Sequence, residues 1–338
     1  MRVAVFSTKS YELDFLLEAN EGRHELIFRE ARLEPSTAVL AEGCDAVCVF
    51  VNDIVDGAVI QTLRELGVRA VALRCSGYNN VDIRTASHHE LAVVNVPAYS
   101  PHAVAEHTLA LLLNLNRKIH RAWNRVREGN FALDGLLGYD LKGRTAGVIG
   151  TGAIGGVTAR TFACLGMRVL GSDPFPDPEL AGTVVDYTEL DELLAESDII
   201  SLHCPLTEGT RHLIDSAALA RMRLGATLLN TSRGALIDTP AVIDALKAGH
   251  LGGLGIDVYE EEASLFFEDR SGQILLDDTF ARLLTFPNVV VTAHQGFFTA
   301  DAMQTIARTT ITNLSAIEDG DGGQNRVRWD EGSGPAES

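Results

Sequence analysis

No two of the five cysteines (Cys44, Cys48, Cys75, Cys164 and Cys204) stand as Cys-x-x-Cys, and no histidines form His-Glu-x-x-His. The spacings of thiolate and imidazole metal centres are therefore missing, and no metal site is expected. An odd number of cysteines, most among apolar neighbours, is no disulfide framework; it suits buried free thiols in a reducing cytoplasm. No apolar run approaches the roughly 18–20 residues of a membrane span. The opening Met-Arg-Val-Ala-Val-Phe reads as a first strand, too soon interrupted for a secretion signal. Basic residues are scarce, 28 Lys and Arg against 46 Asp and Glu, for a net charge of −18. A chain this acidic is a poor partner for nucleic acid or an anionic membrane. Apolar residues are plentiful: 46% of 338 residues are hydrophobic, enough for about two domains of ~150 residues.

The first hundred residues alternate short apolar runs with helical patterns. Strands are expected at Val3–Phe6, Glu25–Phe28, Ala46–Val51, Ala70–Arg74 and Ala92–Val96, and helices at Tyr11–Ala19 and Ala58–Leu66. That alternation marks a parallel α/β sheet. Pro97-Ala-Tyr-Ser-Pro101 interrupts it, and one long helix is expected from Ala103 to about Arg127. Its end carries Arg117, Lys118, Arg121, Arg125 and Arg127, which suit a helix C-terminus. The His120-Arg-Ala-Trp123 segment is either a subunit contact or a solvated face. Beyond Leu141, strands are expected at 145–149, 168–171, 183–186, 198–202, 226–230, 254–257 and 289–292. A helix over Thr299–Ile317 can return the chain to the first domain. From Asp319 the tail lacks periodicity and is expected to be poorly ordered.

The strongest signal is Thr145-Ala-Gly-Val-Ile-Gly-Thr-Gly-Ala-Ile-Gly155, an apolar strand running into Gly150, Gly152 and Gly155. Gly150 permits a tight turn, Gly152 lets the backbone approach a pyrophosphate, and Gly155 lets the helix pack on the strand. The helix N-terminus then offers free N–H groups to an anion. A second apolar run, Met167–Gly171, leads to Asp173, 18 residues beyond Gly155, placed to accept both adenosine ribose hydroxyls. A carboxylate there repels a 2′-phosphate, so NAD is favoured over NADP.

Further polar residues follow strands in the same topological place: His203-Cys204-Pro205, Asn230-Thr-Ser-Arg233, Asp257 and His294. Ligands of open parallel sheets bind outside the carboxyl ends of strands. His294 is the general acid/base candidate, since imidazole titrates near neutral pH; the alternative is a structural histidine. Arg233 can offer two parallel donors to a carboxylate, and the small Ser232 and Gly234 beside it suggest close approach by a ligand. The alternative for Arg233 is a surface salt bridge. One of Glu260, Glu261 and Glu262 could hold His294 in its charged form, and spacing leaves open which.

With these residues in hand, the chain resembles the NAD-dependent D-2-hydroxyacid dehydrogenases, and among them the lactate type of bacterial fermentation. The resemblance runs from Phe50-Val-Asn-Asp53 to about Ile317. It includes Leu73-Arg-Cys-Ser-Gly-Tyr-Asn-Asn-Val-Asp82, Val96-Pro-Ala-Tyr-Ser-Pro101, Ala105-Glu-His-Thr108 and Ser201-Leu-His-Cys-Pro-Leu206. Asn230-Thr-Ser-Arg-Gly-Ala-Leu-Ile-Asp238, Gly255-Ile-Asp-Val-Tyr-Glu260, Leu265-Phe-Phe-Glu-Asp269 and Thr292-Ala-His-Gln295 complete it. The resemblance implies two doubly wound parallel-sheet domains, a Rossmann NAD domain (101–298) inserted into a flavodoxin-like substrate domain (1–100 and 299–338). It implies a catalytic triad of Arg233, Glu262 and His294. Ser76, Gly77 and Tyr99 would touch the substrate carboxylate, and Phe50 would shape the side-chain pocket. Cofactor contacts carry over to Ala153, Ile154, Asp173, Cys204, Pro205, Thr231, Ser232, Arg233 and Asp257, beside Gly150, Gly152, Gly155, His203 and His294. Thr210 stands where the family pattern has asparagine, and Phe297-Phe298 is an aromatic variant beside the histidine. The implied reaction is reduction of pyruvate to D-lactate with NADH, in a cytoplasmic homodimer or homotetramer. The rivals are a dehydrogenase of another 2-keto acid (hydroxypyruvate, phosphoglycerate or a bulkier one) and a non-catalytic NADH-sensing binding protein.

Overall fold

The structure, a computed structural model, describes residues 1–262, 265–321 and 323–329. In chain order its elements begin β1 (Arg2–Val5), α1 (Ser10–Asn20), β2 (Glu25–Phe28), β3 (Ala46–Val49), α2 (Gly57–Glu65), β4 (Ala70–Leu73), α3 (Ile83–His88) and β5 (Ala92–Val94). Next come α4 (Pro101–Arg117), α5 (Ile119–Arg127), β6 (Thr145–Ile149), α6 (Ala153–Cys164), β7 (Arg168–Ser172), β8 (Asp186–Tyr187), α7 (Leu190–Glu196) and β9 (Ile199–Leu202). The chain continues with α8 (Ser216–Arg221), β10 (Ala226–Asn230), α9 (Thr239–Lys247), β11 (Leu251–Ile256), α10 (Asp278–Leu284), β12 (Val289–Val291), α11 (Ala300–Glu318) and β13 (Arg326–Val327).

Two units emerge, Met1–Ser100 together with the chain from Phe298 onward, and Pro101–Phe297. In the first, the sheet order is β13-β5-β4-β3-β1-β2. β1 to β5 are parallel and run in the flavodoxin-like order 2-1-3-4-5. Short runs of Val and Ala are buried on both faces, as parallel strands require. Ala4, Val47, Val49, Val71 and Leu73 face Val59, Ile60 and Leu63 of α2. Val3, Val5, Ala46 and Ala70 face Leu16 of α1 and Ala307, Ile311 and Leu314 of α11.

The second unit has the order β12-β11-β10-β9-β6-β7-β8, all neighbours parallel. Renumbered from β6, this is the 3-2-1-4-5-6 order of dinucleotide-binding sheets with one further strand. The order reverses between β6 and β9, which makes the carboxyl edge beside them the expected ligand crevice. Each face again has its own core. Leu111, Leu112 and Leu115 of α4 pack with Ala159 and Phe162 of α6 on one, and α8 and α9 cover the other.

Four expectations need correction. The long helix is two helices, broken at Lys118, which takes a left-handed φ of 51°. Side-chain amides end the first helix. Asn116 Nδ2 donates to the Tyr139 carbonyl (2.7 Å) and its Oδ1 accepts from Tyr139 N (2.9 Å). Asn114 Oδ1 then accepts from His120 N in the first turn of α5. Apolar periodicity continues through the break, so pattern alone could not reveal it. The strand expected from Thr183 shrinks to Asp186–Tyr187, because Val184 N and Val185 N both donate to the Leu180 carbonyl in a turn. Cys164, expected among the buried thiols, is exposed, while Cys44, Cys48 and Cys204 are buried. The stretch after Asp319 is not featureless: β13 pairs antiparallel with β5, and Val327 and Trp329 pack on the first unit's core. Residues 330–338 of that tail lie outside the described residues. Among the described residues, no helix is long and apolar enough to cross a membrane.

Candidate active site

The parallel sheet of the second unit delivers every polar segment in question to its carboxyl edge. After β6, Gly150 turns the chain with φ +85°. A Cβ there would lie 2.5 Å from Cys204 N, and one on Gly155 would lie 1.9 Å from the Gly150 carbonyl oxygen. Nothing stands within 4 Å of a Cβ on Gly152, so that position faces open space. The first intrahelical bond of α6 runs from Gly156 N to the Gly152 carbonyl, and the amides of Ala153, Ile154 and Gly155 precede it. A tight turn, an open glycine and three amides at the start of a 12-residue helix fit a pyrophosphate. A cavity of about 450 Å³ continues past Thr151, Gly152 and Ala153 to Asp173 and Phe175, room for an adenosine.

After β9, His203 is packed deeply enough that desolvation pushes its imidazole down to about 4. The ring is neutral at physiological pH and is hydrogen-bonded to Ser201 Oγ at 2.8 Å. Burial pushes the Cys204 thiol up to about 11, so it stays protonated. Thr210 spends its hydroxyl inside the 205–210 loop. It donates to the Pro205 carbonyl (2.7 Å) and accepts from Thr207 N (2.7 Å), which makes it a loop brace. The hydroxyls of Thr231 and Ser232 are likewise engaged within the protein. Thr108 Oγ1 donates to the Val104 carbonyl, so Thr231 Oγ1 donates to Thr108 (2.8 Å). Ser232 Oγ donates to the Cys204 carbonyl (2.8 Å). Thr210, Thr231 and Ser232 can therefore offer a ligand mainly their backbone.

Arg233 follows β10. Its Nη1 donates to the Ser232 carbonyl at 2.9 Å, and its guanidinium has no ion pair among the described residues. Its neighbour Gly234 is small for a different reason than ligand approach. A Cβ there would lie 2.1 Å from the Tyr259 carbonyl carbon, so glycine lets this loop press on the one leading to Glu262.

The three glutamates diverge. Glu260 Oε1 accepts from Arg211 Nη2 and His212 Nε2. Glu262 Oε1 accepts from His294 Nδ1 at 2.8 Å, and its Oε2 accepts from Tyr259 N at 2.9 Å. Both side chains are about one-fifth exposed, 20% for His294 and 21% for Glu262. The Phe267 ring lies 5.6 Å and the Phe297 ring 6.5 Å from the imidazole.

The turn holding His294 is strained. Ala293 and His294 have φ of 52° and 57°, a left-handed region unfavourable for both. The buried Asp257 holds it. Its Oδ1 accepts from Thr292 Oγ1 (2.6 Å) and Gln295 N (2.8 Å), and its Oδ2 accepts from Gly296 N (2.8 Å). Since the Thr292 proton goes to the carboxylate, His107 Nε2–H donates to Thr292 Oγ1 at 2.8 Å. Burial opposes charge on Asp257. His107, whose Nε2 lies 3.3 Å from Oδ1, the hydrogen bond from Thr292 and the nearby His294 outweigh it and hold the carboxyl down at about 2. Asp257, read from the sequence as a cofactor contact, thus also holds the histidine turn. His107 and Thr292 were not singled out by sequence; His107 does fall on the apolar stripe of α4, between Val104 and Leu111, where a polar residue calls for a partner.

The substrate candidates lie in the first unit, at the carboxyl ends of β3, β4 and β5. Phe50 is buried, with the guanidinium carbon of Arg74 at 5.6 Å from its ring centroid. Arg74 is held in turn by both oxygens of Glu12 at 3.0 Å. The Ser76 carbonyl accepts from Asn95 Nδ2 (2.7 Å), and Gly77 and Tyr99 follow β4 and β5.

Residues 109–296 match the model of the D-isomer specific 2-hydroxyacid dehydrogenase NAD binding domain. The chain belongs to that family, and it is an NAD-dependent oxidoreductase. It is 49% identical over 322 residues to the D-lactate dehydrogenase of Escherichia coli K12, covering 95% of this chain and 98% of that one. The apo-structure of the E. coli enzyme superposes with a TM-score of 0.88 at 47% identity, covering 97% of this chain and all of that one. The 2-hydroxyacid dehydrogenase homolog 1 of Schizosaccharomyces pombe is 50% identical over 317 residues, 93% of this chain and 96% of the relative. The D-lactate dehydrogenase of Aquifex aeolicus, solved with NAD and lactic acid, superposes with a TM-score of 0.87 at 31% identity, covering 97% of this chain and all of that one.

Proposed function

We propose that this chain reduces pyruvate to D-lactate with NADH. The observation carrying the reading is the His294–Glu262 pair. It occupies Nδ1 and leaves Nε2 as the open position of the ring, on the sheet edge that also presents Arg233. The lactate-named relatives support the choice of substrate.

Arg233 takes the carboxylate of the keto acid on two parallel N–H groups and turns the carbonyl oxygen toward His294. His294 Nε2–H passes its proton to that oxygen as negative charge develops there. Glu262 fixes the ring orientation and offsets the imidazolium charge. When bound, the nicotinamide supplies the hydride accepted by the carbonyl carbon. Ser76, Gly77 and Tyr99 are assigned to the substrate carboxylate, and Phe50 to the surroundings of the methyl group. On the cofactor side, the amides of Ala153, Ile154 and Gly155 take the pyrophosphate and Asp173 the adenosine ribose. Residues 101–298 are then the cofactor domain, and 1–100 with 299–338 the substrate domain.

The test is kcat/KM with NADH for pyruvate, hydroxypyruvate, 2-ketobutyrate and phenylpyruvate. Pyruvate should lead and yield the D product; a tenfold lead for any other acid refutes the assignment. NADH binding without oxidation by any of them would instead favour a sensing protein.

We infer a cytoplasmic homo-oligomer as well. On α5, Ile119, Trp123 and Val126 share one face at helical spacing and are each more than half exposed. Leu133 and Leu137, in the segment that follows, are more than four-fifths exposed. Light scattering at micromolar concentration should return at least twice the chain mass, and a monomer mass refutes it.

A further inference from the structure

Asp173 is not a bare carboxylate. Its Oδ2 accepts from Thr151 N at 2.6 Å and from Thr151 Oγ1 at 3.1 Å, and its Oδ1 accepts from Phe175 N at 2.8 Å. Behind Thr151 stands Tyr187, whose hydroxyl is 2.8 Å from Thr151 Oγ1 and accepts from Asp177 N at 3.0 Å. The direction of each proton follows. An ionised carboxylate only accepts, so the single hydroxyl proton of Thr151 goes to Asp173. Thr151 must then accept from Tyr187, whose own oxygen is filled from the other side by a backbone amide that can only donate. One chain of donors results: Asp177 N–H to Tyr187 O–H to Thr151 O–H to Asp173.

The chain is built into the fold. Thr151 is buried, and the Tyr187 ring lies across Gly171 of β7, where a Cβ would stand 3.1 Å from ring carbon Cε1. Gly171 pairs directly with Tyr187 in the β7–β8 register. A carboxylate has about four lone-pair positions, of which three are filled here, two on Oδ2. The remaining acceptor is on Oδ1, and its direction is set by the three donors.

We propose that Tyr187 and Thr151 are positioning residues for cofactor selection, which hold Asp173 oriented to accept an adenosine ribose hydroxyl and to refuse a 2′-phosphate. The inference rests on the assignment of Asp173 to that ribose. Without Tyr187 the Thr151 hydroxyl loses the donor that anchors and polarises it, so its bond to Asp173 weakens, and without the Thr151 hydroxyl the carboxylate loses a donor and can turn away. Neither residue is asked to touch the cofactor.

The test is direct binding of NADH and NADPH, followed by nucleotide fluorescence, with no keto acid present. Tyr187→Phe keeps the ring over Gly171, and Thr151→Val keeps the side-chain shape. Each should lower the preference, Kd for NADPH over Kd for NADH, by about 3–10-fold, the net worth of one ordinary hydrogen bond. Thr151→Ser, which keeps the hydroxyl, should retain it. In an Asp173→Ala background, which should itself lower the preference, Tyr187→Phe should change nothing further. Parallel weakening of both nucleotides, an unchanged ratio, or an equal effect of Tyr187→Phe with and without Asp173 overturns the relay. An unchanged ratio in Asp173→Ala alone overturns the ribose assignment instead.

Discussion

Replacing Asp257 by asparagine tests whether that carboxylate is the template of the histidine turn. The wild-type side chain receives three hydrogen bonds at 2.6–2.8 Å from residues 292 to 296 and has His107 Nε2 at 3.3 Å. An amide can keep the Thr292 and Gln295 donors on its oxygen, but its NH2 then faces the Gly296 N–H, donor against donor. A buried N–H without an acceptor costs about 1–3 kcal/mol. A second contribution comes from ionisation. The carboxyl lies at about 2 in the folded chain against an ordinary 3.8, its burial outweighed by the neighbouring His107 imidazole and the hydrogen bond from Thr292. The folded value is depressed, so this contribution is fully present above the unfolded value and is lost as pH falls from about 4 toward 2. At about 1.4 kcal/mol per unit it amounts to roughly 2 kcal/mol. Asp257→Asn should therefore lose roughly 3–5 kcal/mol in urea unfolding at pH 7, with the gap to wild type narrowing by roughly 2 kcal/mol in acid. Ala293 and His294 would relax from their left-handed conformation and misplace the imidazole, so turnover should fall about 10–100-fold with NADH affinity held within about threefold. A gap that does not change with pH, or a loss expressed in NADH affinity with turnover intact, would refute the template.

His294→Ala should lower turnover by about 10²–10⁴-fold while NADH binding, read by fluorescence, stays within about twofold; pyruvate reduction at the wild-type rate rules out His294 as the acid. Gly155→Ala should be far harsher than an alanine in an ordinary helix, since its Cβ would lie 1.9 Å from the Gly150 carbonyl oxygen. NADH affinity should drop by more than about tenfold as the turn opens, and a titration indistinguishable from wild type would show that α6 need not pack so closely on β6.

Much of the fold can be read from local pattern. Runs such as Ala46–Val49 and Ala70–Leu73 are too short and too apolar to be anything but buried parallel strands, and their alternation with helices sets the α/β class. The glycine turn and Asp173 declare a dinucleotide because each glycine answers a separate steric demand within a few residues. The helix break at Lys118 is invisible to this reading, since it depends on Asn116 meeting Tyr139, 23 residues away. β13 is equally hidden, because its pairing energy comes from β5 and not from its own composition.

The candidate chemistry divides along the same line. Sequence alone determined that Arg233, an acid from the 260–262 run and His294 would reach one sheet edge, because each follows a strand and parallel strands end together. Spacing left the glutamate open and the family resemblance pointed to Glu262, and the fold brings Glu262 rather than Glu260 to the imidazole. Tertiary structure alone decided that Asp257 shapes the turn and that Thr151 and Tyr187 stand behind Asp173. Hydrogen bonds depend on direction and on a few tenths of an ångström, and residues such as Asp257 and His107 meet only once the sheet and α4 are packed.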